Sequence, residues 1–203
     1  MSTTSGKPTR RRGEALELAI LRAACEELVD VGYAKLTIEG VAKRAQTSTP
    51  VLYRRWPSRA ELALDALSRR EPAAAQPPEA GSLRDDLLAF LRPLARRFDG
   101  VLGETMRGLF AEAARDPGLD KLVQDLIARV APESGISTIL DRAVARGEVD
   151  SSRLTPRTVA LPLDLLRHEV IVRGTPVPDS AVTEIVDEIV LPLLILRPEP
   201  AAG

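Results

Sequence analysis

A chain of 203 residues, 44% apolar and 28% charged, has the composition of a globular protein with room for one large or two small domains. Its one cysteine, Cys25, excludes internal disulfides and a thiolate metal cage, and no apolar run reaches the ~20 residues of a membrane-spanning helix. The net charge of −1 hides a division: residues 1–70 carry 13 Lys/Arg against 8 Asp/Glu, a net of +5, and residues 71–203 carry 15 against 21, a net of −6. A basic first third on an acidic remainder fits a head that meets a polyanion and a body that does not.

In chain order, residues 1–13 are rich in Ser, Thr and Gly and carry Lys7, Arg10, Arg11 and Arg12. They read as a disordered basic arm, either a minor-groove and phosphate contact or a solubilising tail. The polar N-terminus is unlike a secretion signal, so a cytoplasmic location is expected. Residues 14–31 show helical spacing in Leu16, Ile20, Ala23, Ala24 and Leu28, with Gly32 as the stop. Thr37 can cap a short helix bearing Ile38, Val41, Ala42 and Ala45. Gln46 and Thr47 interrupt it. Ser48 can cap a second short helix with Pro50 in its first turn, where a missing N–H costs little. Leu52 and Trp56 then face inward, while Thr49, Pro50, Tyr53 and Arg54 face outward. Two short helices and a tight turn describe a helix-turn-helix whose second member can enter a major groove.

Ser58-Arg59-Ala60-Glu61 is a capping box that starts a fourth helix, to about Arg70. It reads as the only link between head and body. Residues 71–81, with Pro72, Pro77 and Pro78, form a linker. Ser82 to Asp85 opens a helix carrying Leu87, Leu88, Leu91, Leu94, Ala95 and Phe98. The next runs from about Gly103 to Arg115. Asp116-Pro117 opens a third, with Leu119, Leu122, Val123, Leu126, Ile127 and Val130 as its stripe. Pro132 and Gly135 then leave two outcomes open, one bent helix to Arg146 or two helices. Thr155-Pro156 opens a helix to about Arg173 that is apolar nearly all round, and the last helix spans about Asp179 to Leu196. No segment has strand period, so the fold class is all-α.

The segment Leu52-Tyr53-Arg54-Arg55-Trp56-Pro57-Ser58-Arg59-Ala60-Glu61-Leu62, with the turn before it, resembles the helix-turn-helix signature of the TetR family of bacterial regulators. It departs from the usual pattern at Gln46-Thr47, where Gly-Val is common, at Pro50, where a small residue is common, and at Arg55, where His or Tyr is common. The resemblance implies an N-terminal three-helix DNA-binding head, residues 14–70, and a C-terminal helical bundle, residues 82–197, that binds an effector and dimerises. A tail at 198–203 is expected to be disordered.

The site residues follow from the helical pattern and this resemblance together. Arg10, Arg11, Arg12, Thr37, Thr47, Ser48, Thr49, Pro50, Tyr53, Arg54, Arg55 and Arg59 are the candidates for double-stranded DNA. Arg54 is read as a base reader, and Thr37 and Arg59, at helix N-termini, as phosphate holders. Leu91, Phe98, Met106, Phe110 and Leu126 are candidate lining for a small lipophilic effector. Leu163, Leu166, Val182, Ile185, Val186 and Ile189, on the two most apolar helices, are candidates for a homodimer interface. Cys25 reads as a helix-packing thiol, Asp85-Asp86 as charges complementing a helix N-terminus, and His168, the one histidine, as a polar residue near the dimer seam or pocket. No nucleophile elbow, phosphate loop or metal-ligand cluster is present, so neither catalysis, nor a metal, nor a cofactor is expected. The function implied is a repressor released from a pseudo-palindromic operator by its ligand. The alternatives are an activator, a regulator without a small-molecule ligand, and a helical-bundle carrier or enzyme.

Overall fold

The computed structural model describes residues 8–70, 77–130 and 133–195. Regular structure among them is helical, and β-type pairing is confined to an isolated bridge between Val149 and Ile195. The elements are α1 (Pro8–Val31), a 3-10 turn (Tyr33–Lys35), α2 (Ile38–Arg44), α3 (Thr49–Tyr53), α4 (Arg59–Arg70), α5 (Leu83–Arg97), α6 (Val101–Ala113), α7 (Pro117–Val130), α8 (Glu133–Ala145) and α9 (Pro156–His168), which continues as a π-helical segment (Glu169–Arg173). A last helical run joins α10 (Asp179–Glu184), a second π-helical segment (Ile185–Val190) and α11 (Leu191–Leu194). The all-α expectation stands. None of the described helices is long and apolar enough to cross a membrane.

The ends differ from expectation where local chemistry favours helix. The basic arm was expected to stay unstructured to residue 13, yet α1 begins at Pro8. Proline suits a first helical position, and the Arg10-Arg11-Arg12 run propagates a helix well. Residues 1–7, the linker residues 71–76, Ala131-Pro132 and the tail from residue 196 lie outside the described residues, as do the side chains of Arg10, Arg11 and Arg12. The question of a bend or break at Pro132 falls there too.

Two compact units divide the chain. The first joins residues 1–71 to Gly108–Val123, and the second joins Pro72–Arg107 to residues 124–203. So α4 is not the sole covalent link: α6 and α7 each begin in one unit and end in the other.

In the first unit, Ile20, Leu21, Ala24 and Leu28 of α1 are buried, as are Val41 and Ala42 of α2, Leu52 and Trp56 at α3, and Ala60, Leu62, Ala63, Ala66 and Leu67 of α4. Leu16 is exposed, against expectation. Cys25 is half-buried and donates from Sγ to the Ala66 carbonyl across the α1–α4 seam, at 3.6 Å. Arg44 ties α2 to α1 through Glu27 (2.8 Å) and Asp30 (2.6 Å).

In the second unit, α5, α8, α9 and the last helical run share one core. It holds Leu83, Leu87 and Leu91 of α5, Ile136, Ile139 and Leu140 of α8, Leu163 and Leu166 of α9, and Val182, Ile185, Val186, Val190 and Leu194 of the last run. Asp86 is fully buried at the start of α5, accepting from the backbone N–H of Ala80 and from Arg146 at 3.1 Å. Arg142 donates to the Pro77 and Pro78 carbonyls. The end of the linker is thereby fastened to α5 and α8. Ser82, the N-cap of α5, accepts from the Asp85 N–H at 3.1 Å and donates its hydroxyl to the Asp85 carboxylate at 2.8 Å.

Of the six residues expected at a homodimer interface, Leu163, Leu166, Val182, Ile185 and Val186 are buried within the single chain, and Ile189 is exposed. The apolar side chains left in solvent along these helices are Val172, Ile189, Leu193 and Ile195, with Leu161 and Leu165 half-buried.

Candidate nucleic-acid interface

The interface is set by how α2 stops and α3 starts. Thr37 caps α2 by accepting from the Gly40 N–H at 3.0 Å. At the other end the Thr47 N–H reaches back to the Ala42 carbonyl (3.0 Å) and the Gln46 N–H to the Lys43 carbonyl (3.2 Å). These two bonds are a Schellman closure, which needs a left-handed residue between them. Gln46 supplies it at φ 51°. The tight turn therefore forms without the glycine common in the family signature.

Ser48 takes the N-cap position of α3, with extended backbone but no side-chain capping bond. Pro50 sits in the first turn. Leu52 is fully buried beneath the helix, and Trp56 is buried just after it, its Nε1–H donating to Asp65 of α4 at 3.0 Å. With these two anchors inward, Ser48, Pro50, Tyr53 and Arg54 are exposed on the outer side, and Thr47 and Thr49 are half-buried beside them. A short helix showing hydroxyls, a phenol and a guanidinium presents groups that hydrogen-bond base edges and phosphates.

Two of the candidate arginines are bonded within the chain. Arg59 was read as a phosphate holder at the start of α4. Its guanidinium instead donates to the carbonyls of Ala34 (3.2 Å) and Tyr33 (3.4 Å) and to Glu112 Oε2 (3.1 Å), and it lies 4.9 Å over the Tyr33 ring. An arginine so engaged is a structural clamp. Arg55 is the other candidate for DNA. It pairs with Glu17 of α1 at 2.6 Å and lies 5.5 Å over the Trp56 ring, its side chain remaining half-exposed. Tyr33 is buried and donates to the same Glu112 oxygen at 2.9 Å. Burial, reinforced by that bond, pushes its phenol far above the ordinary range.

Lys43 and Arg44, which end α2, went unassigned in the sequence reading. The signal for Arg44 was present, since Glu26, Glu27 and Asp30 of α1 form an acidic face that a basic α2 terminus can meet. Glu112 carried no such signal, standing 53 residues from Arg59.

Against known proteins, residues 20–66 match the family described as bacterial regulatory proteins, tetR family, and residues 77–189 match the tetracyclin repressor-like C-terminal domain. A HTH-type transcriptional regulator of Mycobacterium tuberculosis, itself uncharacterised, is 35% identical over 178 residues, 88% of this chain and 87% of its own. The chain belongs to the TetR family. It is a DNA-binding transcriptional regulator, a class without enzyme activity. It is also similar to the DNA-binding transcriptional repressor TetR of Mycobacteroides abscessus, at 32% identity over 92% of this chain and 97% of the other. Among solved structures, Thermus thermophilus FadR, a TetR family repressor in complex with lauroyl-CoA, has the same fold, with a TM-score of 0.63 at 21% identity, covering 92% of this chain and 99% of that one.

The effector candidates of this TetR-family chain fall in both units. Phe110 falls in the first unit, while Leu91, Phe98, Met106 and Leu126 fall in the second. Leu91 is fully buried among α5, α8 and α9 core residues, so it packs that core. Met106 and Leu126 are buried, and Phe98 is partly buried. His168 is exposed on α9. Among the described residues no group of His, Cys, Asp and Glu is placed to hold a metal ion.

Proposed function

We propose that the chain is a cytoplasmic homodimeric repressor that binds a pseudo-palindromic operator through α3 and is released by a small lipophilic ligand. The exposed face of Ser48, Pro50, Tyr53 and Arg54, seated on buried Leu52 and Trp56, carries this reading. A single five-residue recognition helix reads too few base pairs alone, which favours a dimer whose half-sites lie ~34–36 Å apart. Val172, Ile189 and Leu193, the exposed apolar residues of α9 and the last run, with half-buried Leu161 and Leu165, are the surface assigned to the partner copy. Phe98, Met106 and Leu126 remain as candidate lining for the effector. The similarity to a regulator solved with lauroyl-CoA supports a ligand with an apolar tail.

The test is selection of duplexes from a random library, followed by footprinting and reporter expression with and without the protein. A dyad-symmetric consensus with lowered reporter output is expected. Raised output would make the protein an activator, and no consensus would refute operator reading.

A further inference from the structure

The first unit includes a stretch far away in sequence, and one carboxylate fastens it. Glu112 Oε2, near the end of α6, receives the Tyr33 hydroxyl at 2.9 Å and the Arg59 guanidinium at 3.1 Å. The other Arg59 terminal nitrogen donates to the carbonyls of Tyr33 and Ala34, and the guanidinium carbon lies 4.9 Å over the Tyr33 ring. One helical turn earlier on α6, a Cβ added to Gly108 would lie 2.2 Å from Tyr33 Cδ1. The close approach of α6 to Tyr33 thus requires a glycine there.

What the carboxylate holds is close to the DNA-reading surface. Arg59 is the first residue of α4, three after Trp56, and Trp56 is bonded to Asp65 of that same helix. Fixing the start of α4 fixes the seat of α3. A half-exposed ion pair alone contributes little. Here the carboxylate also takes a bond from a buried phenol, and charge-assisted bonds sharing one acceptor act as a unit.

We infer that Glu112 is a positioning residue for operator binding, acting through Arg59 and Tyr33 on the start of α4. The inference rests on the operator reading proposed above. Its consequence is that the aim of α3 depends on where the second half of α6 lies.

The experiment compares wild type, Glu112→Gln, Tyr33→Phe and Gly108→Ala on the best duplex from the library selection and on a random duplex, at a temperature where circular dichroism shows each variant folded. Glu112→Gln and Gly108→Ala should weaken the selected duplex by about tenfold and Tyr33→Phe by about threefold, with the random duplex within about twofold, because phosphate contact alone tolerates a misaimed α3. Adding Arg59→Gln to Glu112→Gln should bring little further loss. Variants that are folded and keep wild-type affinity, or that lose equally on both duplexes, would overturn the inference. Should Glu112→Gln not fold, Tyr33→Phe decides, and its unchanged discrimination would overturn the inference equally. A wild type that does not distinguish the duplexes refutes the operator reading itself, and the inference with it.

Discussion

Arg54 and Arg59 stand five residues apart on either side of Trp56, and their surroundings assign them opposite duties. Arg54 is exposed at the end of α3, while Arg59 is clamped to backbone carbonyls and Glu112. Arg54→Ala is expected to leave thermal stability unchanged and to weaken the best operator by about 1–3 kcal/mol with relaxed specificity, read by fluorescence anisotropy. Arg59→Ala should lower stability, and a reduced salt slope without loss of stability would restore the phosphate role. Gln46 holds a left-handed conformation that costs a side-chain-bearing residue about 1–2 kcal/mol. Gln46→Gly should relieve part of that cost and raise Tm by about 2–4 °C in a thermal melt. The raised Tyr33 pKa fixes another sign. A phenol that titrates higher in the folded chain contributes stability fully present below the unfolded value, near 10, and lost as pH rises toward the folded one. Denaturant midpoints should therefore fall between pH 9 and pH 11 more steeply for wild type than for Tyr33→Phe.

At the scale of elements, most helices were legible because apolar residues recur at 3.6-residue spacing and Pro, Gly and Ser mark the ends. The interface that positions DNA-reading side chains was legible for the same reason, since Leu52 and Trp56 anchor one side. The inner face of the last helical run was not. Val182, Val186, Val190 and Leu194 stay buried at every fourth residue, a spacing wider than an α-helix keeps on one face. The π-helical segment over Ile185–Val190 supplies the extra width. Sequence periodicity cannot announce that change, so Ile185, 5% exposed, and Ile189, 39% exposed, looked alike. Substituting both Ile189 and Leu193 by Glu should yield folded monomers in sedimentation, whereas Ile185→Glu should unfold the chain. Monomers that are folded with Ile185→Glu would contradict this placement. The Arg84 guanidinium ties α5 to the same segment through Asp187 at 2.7 and 2.8 Å and holds that carboxyl below its usual range. A depressed carboxyl contributes stability above its unfolded pKa, near 4, and loses it as pH falls through the folded value. Asp187→Asn should lower stability at pH 7 and flatten its decline below about pH 4 in denaturant titrations.

Over the whole molecule, the charge division foreshadowed the head, but the assignment of Gly108–Val123 to the first unit had no sequence signature. A tyrosine, an arginine and a glutamate that meet only in the folded chain fasten part of this stretch, at Glu112. Since Glu112 of α6 holds Arg59 at the start of α4, an effector that shifts this part of α6 is expected to act on that clamp. Such coupling is typically about 1–3 kcal/mol, so a saturating ligand should weaken operator binding about 5–150-fold, and operator DNA should weaken the ligand equally. A ligand found by thermal shift that leaves operator affinity untouched would mark an uncoupled site. The central claim, a dimer reading DNA through two copies of α3, is tested most directly by hydroxyl-radical footprinting on the best selected duplex. The account predicts two protected half-sites related by a dyad, about one helical turn apart on one face of the duplex. A single isolated half-site, or protection no different from that on random duplex, would contradict it.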